Sequence, residues 1–168
     1  MAIDPGYRES AFLLYDGTRI LEHGIKDNEA LLLGLQTWSS GAIIKAVLVI
    51  EEMQIFAGHG VGKEVFDSVF WSGRFAQAWT PRPFDRLLRS RVRAHLGASR
   101  GGDAAVRQSL IERFGPYKED AIGTKLKRGP LYGITKHSWS ALAIAVTYCD
   151  QNPVRSAVQP VPRMERSL

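Results

Sequence analysis

Apolar residues fall along this chain in short blocks whose period switches between two and 3.6, divided by Gly, Pro and Asp. The first block, Met-Ala-Ile, runs into Asp4, and Pro5-Gly6 then forces a turn. Residues 10–15 read as a second strand, Asp16-Gly17 turns the chain again, and residues 20–25 read as a third. The chain thus opens with a strand that ends in a carboxylate and is followed by a hairpin. Asp27-Asn28-Glu29 is a helix start, after which Leu31, Leu32, Leu35 and Trp38 share one helical face, and Ser39-Ser40-Gly41 closes the helix. Next comes KAVLVIEEM, a nearly continuous apolar run rich in Val. A run of this kind after a helix predicts a buried strand parallel to the first.

The second half is patterned differently. Residues 63–79 predict a helix with Val65, Val69, Gly73 and Ala76 on one stripe, and Phe66, Phe70 and Trp71 widening the apolar surface. Such width calls for core on one side and a second surface on the other, supplied by a subunit partner or a DNA base step. Thr80-Pro81-Arg82-Pro83 breaks that helix. A further helix opens at Gly101-Gly102-Asp103, with Asp103 as its N-cap and Val106, Leu110 and Phe114 facing the core. The last ordered element lies in GITKHSWSALAIAVTYC, where Trp139, Leu142, Val146 and Cys149 form a core stripe. His137 and Ser140 stand one turn apart on the adjacent stripe. From residue 151 onward the chain is Pro-rich, polar and basic, which predicts a disordered tail after a single domain over 1–150.

Composition narrows the partners. The 168 residues, 45% of them hydrophobic, suffice for one domain with a sizeable core. The formal charge is +5, which points to a polyanion such as nucleic acid or to an anionic membrane surface. One cysteine, Cys149, excludes an internal disulfide, and with no signal peptide this predicts a cytoplasmic setting. The most apolar run, 42–50, is interrupted by Lys45 and falls far short of the roughly 20 residues of a membrane span. The Gly-rich loop GHGVG at 58–62 lacks P-loop spacing and receives no nucleotide cofactor.

Candidate chemistry follows from strand ends and charge. Ligand sites of α/β sheets lie at the carboxyl ends of strands, where Asp4, Glu51 and Glu52 stand. Strand side chains alternate between faces, so only one of the two glutamates can join Asp4. Beyond residue 80 a basic region carries Arg86, Arg89, Arg93, Arg100 and Arg107 among others. Arg86, Arg89 and Arg93 at helical spacing would share one face as a phosphate-binding surface.

IDPG at 3–6, VIEEM at 49–53 and HSWSALAIAVTYC at 137–149, in that order and spacing, resemble the RuvC family of Holliday junction resolvases, with the phage-encoded branch the most similar. The resemblance covers about residues 1–150. It implies an RNase H-like α/β fold, a mixed five-stranded sheet flanked by helices. It also implies a homodimer that cuts four-way DNA junctions with Mg²⁺ or Mn²⁺. On this resemblance Asp4 matches the first carboxylate, Glu51 the second and His137 the third ligand, while Arg93 matches a basic residue near the scissile phosphate. Two positions depart from the pattern. Asp103 falls near the second basic position, leaving Arg100 or Arg107 to stand in, and Ser140 occupies the fourth acidic position. Asp103 and Ser140 are therefore possible extra ligands. Ser140 also leaves open a catalytically impaired junction-binding protein of the same fold. A phosphotransferase of the actin and sugar-kinase type shares the opening hairpin, but that fold needs two such domains.

Overall fold

The computed structural model describes residues 1–41, 46–54 and 61–153. Five strands and six helices follow in the order β1 (Ala2–Asp4), β2 (Glu9–Tyr15), β3 (Ile20–Asp27), α1 (Asn28–Ser40), β4 (Leu48–Glu52), α2 (Lys63–Trp79), β5 (Phe84–Leu88), α3 (Arg89–His95), α4 (Gly102–Phe114), α5 (Lys118–Ala121) and α6 (Ser138–Gln151). The sheet order is β3-β2-β1-β4-β5. β1 pairs antiparallel with β2 and parallel with β4, and β4 pairs parallel with β5. This is the mixed five-stranded sheet flanked by helices that the family resemblance implies.

Alternation along the strands sorts the core into two layers. Ile3, Phe12, Leu48 and Ile50 pack with Leu31 and Leu35 of α1 and Phe75 and Trp79 of α2. Ala2, Leu13 and Val49 point the other way, onto Leu142, Ile144 and Val146 of α6 and Val106 and Leu110 of α4. Helix α6 is buried from Ala141 through Thr147, the central rod on which the site face of the sheet rests. Phe12 is 1% exposed, and truncating it to Ala would cost about 3–5 kcal/mol as lost burial plus cavity.

Three expectations need correction. The buried stripe of α2 is Ser68, Phe75 and Trp79, whereas Val69, Gly73, Phe66 and Phe70 face solvent. The aromatic width was right, but the core takes the opposite edge of it. Arg86 lies on β5, an edge strand, and does not share a helix face with Arg89 and Arg93 of α3. Asp103 does not cap α4: Gly101, in the left-handed region at φ 95°, takes the N-cap position with no side-chain bond, and Asp103 turns outward. The GHGVG loop through Gly60 and the tail from residue 154 lie outside the described residues.

Candidate functional site

Glycine and an internal hydrogen-bond clasp hold Asp4 in place. A Cβ on Gly6 would come within 2.3 Å of the Glu9 carbonyl, so only glycine fits the turn that follows β1. The Gly6 N–H donates to Ser10 Oγ (3.1 Å), Ser10 Oγ donates to Asn28 Oδ1 (2.6 Å), and Asn28 Nδ2 donates back to the Gly6 carbonyl (2.9 Å). Ser10 and Asn28 are each 1% exposed, so the clasp is shielded from competing water. It ties the Pro-Gly turn to β2 and the start of α1.

Strand register supplies the second carboxylate. Ala2 pairs with Val49 and Ile3 with Ile50, which sets Asp4 level with Glu51 on the α6 face. Glu52 points to the opposite face and lies 3.7 Å from Arg86. The choice between the two glutamates therefore falls on Glu51. Asp4 and Glu51 are 7% and 5% exposed, two acids buried side by side. Burial, then hydrogen bonding and like charge from Asp4, push the Glu51 carboxyl up to about 8, against the opposing pull of Arg89. The two buried acids thus resist carrying both negative charges at once.

His137 sits one residue before α6, at its N-cap position. Its Nδ1 lies 3.3 Å from Asp4 Oδ2. The distance is within reach of a hydrogen bond, but the alignment is poor, and Asp4 Oδ2 stays buried with no hydrogen-bond partner. This contact, in the range of a hydrogen bond, is the main cause raising the imidazole above its ordinary value, with burial opposing. Asp4, Glu51, His137 and Arg89 line one cleft of about 800 Å³ together with the Pro5-Gly6 turn.

The basic residues are only partly gathered here. Arg89 Nε is 3.3 Å from Glu51 Oε1, and its Nη2 is 3.7 Å from Asp103 Oδ1. Arg93 donates from Nη2 to the same Asp103 oxygen at 2.9 Å, and this bond is the first cause holding Asp103 below the usual carboxylate range. Arg93 Nε is buried without a partner. Arg107 stacks over the Trp139 ring at 4.9 Å and lines a neighbouring cleft with Asp103, His137 and Ser140. Arg86 is turned towards Glu52, and Arg100 is exposed ahead of α4. What the sequence could not reveal is that one guanidinium bridges Glu51 and Asp103, since that contact joins residues far apart in the chain.

The donor chemistry fits a hard divalent cation. Two adjacent buried carboxylates, one with an oxygen that accepts no hydrogen bond, present the oxygen donors such an ion takes. Asp4 and Glu51 could hold such an ion with His137 alongside. Among the described residues, however, no three His, Cys, Asp or Glu side chains converge as a ready-made metal group.

A mixed sheet ordered 3-2-1-4-5, with two acids at the ends of its central strands and helix α6 behind them, defines an RNase H-like fold of the RuvC type. Comparison with solved structures matches it to the Thermus thermophilus RuvC structure, with a TM-score of 0.55 over 88% of this chain and 90% of that one, at 16% identity. T. thermophilus RuvC in complex with Holliday junction substrate matches with a TM-score of 0.56 over 89% and 93%, again at 16% identity. No family model matches the chain, and no curated protein does. At this identity the likeness shows the fold alone.

Proposed function

We propose that the protein is a metal-dependent, structure-selective DNA endonuclease that resolves four-way junctions by hydrolysing phosphodiester bonds. One observation carries the reading. Among the described residues three buried side-chain polar atoms lack a hydrogen-bond partner; Asp4 Oδ2 is in this cleft, and Arg93 Nε belongs to the residue lining the adjoining groove. An orphaned carboxylate oxygen asks for a cation and an orphaned guanidinium N–H asks for an anion. A metal ion and a DNA phosphate would satisfy both.

In this reading Asp4 and Glu51 would hold Mg²⁺ or Mn²⁺, and His137 would ligate the ion or orient a water beside it. When bound, the ion lowers the pKa of a water nucleophile and offsets charge on the leaving oxygen. The side chains do the positioning. Asp4 is fixed by its clasped turn, Glu51 by strand register, and Arg93 donates to a phosphate next to the scissile bond. Arg86, Arg89, Arg100 and Arg107 would follow the DNA backbone and make binding salt-dependent. Support for branched DNA comes from the fold neighbour solved with a Holliday junction substrate.

The same proposal includes a homodimer, so that two sites meet two strands of one junction. Its support is the outer edge of α2, where Phe66 and Phe70 are each 63% exposed and Val69 is 48% exposed. Aromatics so exposed on one helix mark a contact surface. Among the described residues no helix is long and apolar enough to cross a membrane. Placement in the bacterial cytoplasm, and in the phage-encoded branch, is proposed on the sequence features quoted above.

Ser140 favours a second reading. A hydroxyl where a fourth acid would stand adds no charge to hold a second cation, so junctions could be bound without being cut. Labelled four-way junctions incubated with Mg²⁺, Mn²⁺ or EDTA separate the two. The endonuclease reading expects paired nicks near the crossover only with metal. Tight binding with no nick under either metal would leave the binding protein.

A further inference from the structure

Arg89 opens α3 directly after β5 and lines both the cleft holding Asp4 and His137 and the adjoining groove with Glu52 and Arg93. Its guanidinium stands against the buried Glu51 carboxylate, with Nε 3.3 Å from Glu51 Oε1. The carboxylate beneath it is 5% exposed, so the +1 charge acts through little water. The Arg89 side chain itself is 46% exposed and is not locked in place. Its other contact, to Asp103 at 3.7 Å, is long, and Asp103 keeps a 2.9 Å bond from Arg93 if Arg89 leaves.

We propose that Arg89 is a resident counter-ion that competes with a divalent cation for Glu51 and is drawn off by a DNA phosphate, so that junction binding and metal loading are coupled. The proposal rests on the nuclease reading and goes further by giving the site an order of assembly. Arg89 Nε lies against Glu51 Oε1, so a divalent ion drawing on that oxygen would meet the guanidinium's positive charge at close range. A phosphate entering the open cleft would offer Arg89 a bidentate partner, where Glu51 gives it a single 3.3 Å contact. Once Arg89 turns to phosphate, Glu51 loses its cation and Asp4 still has its orphaned oxygen. By linkage, DNA then raises metal affinity and metal raises DNA affinity by the same factor.

Two readouts test this without using cleavage. The first is a titration of metal-free protein with Mn²⁺ alone, following the electron paramagnetic signal of unbound Mn²⁺. Arg89→Ala and Arg89→Gln should each bind Mn²⁺ about fivefold or more tightly than wild type, the lower end of usual coupling strengths. Arg91→Ala, a charge removed from the same helix but turned to Gln151, should stay within about twofold of wild type. The second is the anisotropy of a labelled junction in EDTA and in Ca²⁺. Ca²⁺ should tighten binding more in wild type than in Arg89→Ala.

Equal tightening of Mn²⁺ binding by Arg91→Ala would show a bulk charge effect and overturn the proposal. Weaker Mn²⁺ binding by both Arg89 variants would make Arg89 a support for the ligands and would also overturn it. If Asp4→Asn abolishes Mn²⁺ binding while the Arg89 variants match wild type, the counter-ion role fails and the metal reading stands. If neither wild type nor the variants bind Mn²⁺, both fail together.

Discussion

The two ends of α6 carry the same three kinds of side chain in opposite electrostatic states. At its C-terminus Asp150 accepts from Arg113 Nη1 and Nη2 at 2.7 and 2.6 Å and meets His95 Nε2 at 2.7 Å. Burial pushes the Asp150 carboxyl up, but Arg113 and His95 outweigh it, and the group ends below its ordinary value. At the N-terminus His137, Asp4 and Arg89 form looser contacts of 3.3 Å each, around a second buried acid, Glu51. There an oxygen is left without a partner and Glu51 is pushed up to about 8. One cluster is a finished ion network that ties α3, α4 and α6 together. The other leaves a buried carboxylate oxygen without a hydrogen bond. The contrast teaches that the residue trio does not mark a binding site; incomplete satisfaction does.

The comparison breaks most visibly in activity. Asp4→Asn and Glu51→Gln should each lower metal-dependent junction cleavage by at least roughly 100-fold, the scale on which losing one charge-stabilising group acts. Junction affinity in EDTA should stay close to wild type, because the phosphate-contacting surface remains. Asp150→Asn should do the reverse. It should cost about 1–2 kcal/mol in denaturant unfolding, the scale of hydrogen bonds to a charged group, and leave cleavage per folded molecule unchanged. A loss of activity greater than the loss of folded protein would make the far cluster part of the site.

The pH dependence sharpens the same contrast. Glu51 has a folded value near 8 against an ordinary 4.5, so between these pH values the folded state holds a proton that the unfolded state has lost. Metal-free protein should therefore lose stability as pH rises from about 4.5 to 8, by at most about 1.4 kcal/mol per pH unit. Asp150 is shifted down, so its contribution is present above its ordinary value and disappears only as pH falls below it. Thermal melts in EDTA should show the loss towards pH 8 in wild type and not in Glu51→Gln. The smallest effect is expected on the surface: Arg86→Ala and Arg100→Ala should each reduce the salt slope of junction binding by about one, evenly across sequences.

Much of this was legible in the chain. Asp27 caps α1 with bonds to the N–H groups of Glu29 and Ala30, as its position before an apolar helix predicts. The opening hairpin and the parallel pairing of β4 with β1 followed from turn residues and a Val-rich run. Strand ends put Asp4, Glu51 and Glu52 forward and the resemblance chose Glu51; the structure sets Asp4, Glu51 and His137 along one cleft. β5 was not readable as a strand. Phe84, Asp85 and Arg86 are exposed on an edge, so no alternation shows, and the arginines suggest a helix face. Asp103 looked like a cap because nothing local reveals that Arg93 and Arg89 compete for it. In α2 the exposed aromatics outweighed Ser68, whose burial depends on the sheet beneath.

Asp4 and Glu51 are a buried acidic pair with an unbonded oxygen open to a cation, whereas Asp150 is already satisfied by Arg113 and His95. Carbon-detected NMR of the side-chain carboxyls, titrated over pH with and without Mg²⁺, measures this directly. In EDTA, Glu51 should titrate near 8 and Asp150 below its ordinary value. Adding Mg²⁺ should drive the Glu51 midpoint down by several units and leave Asp150 unmoved. A Glu51 carboxyl that titrates at an ordinary value with and without Mg²⁺, or an Asp150 that answers Mg²⁺ equally, would contradict the account.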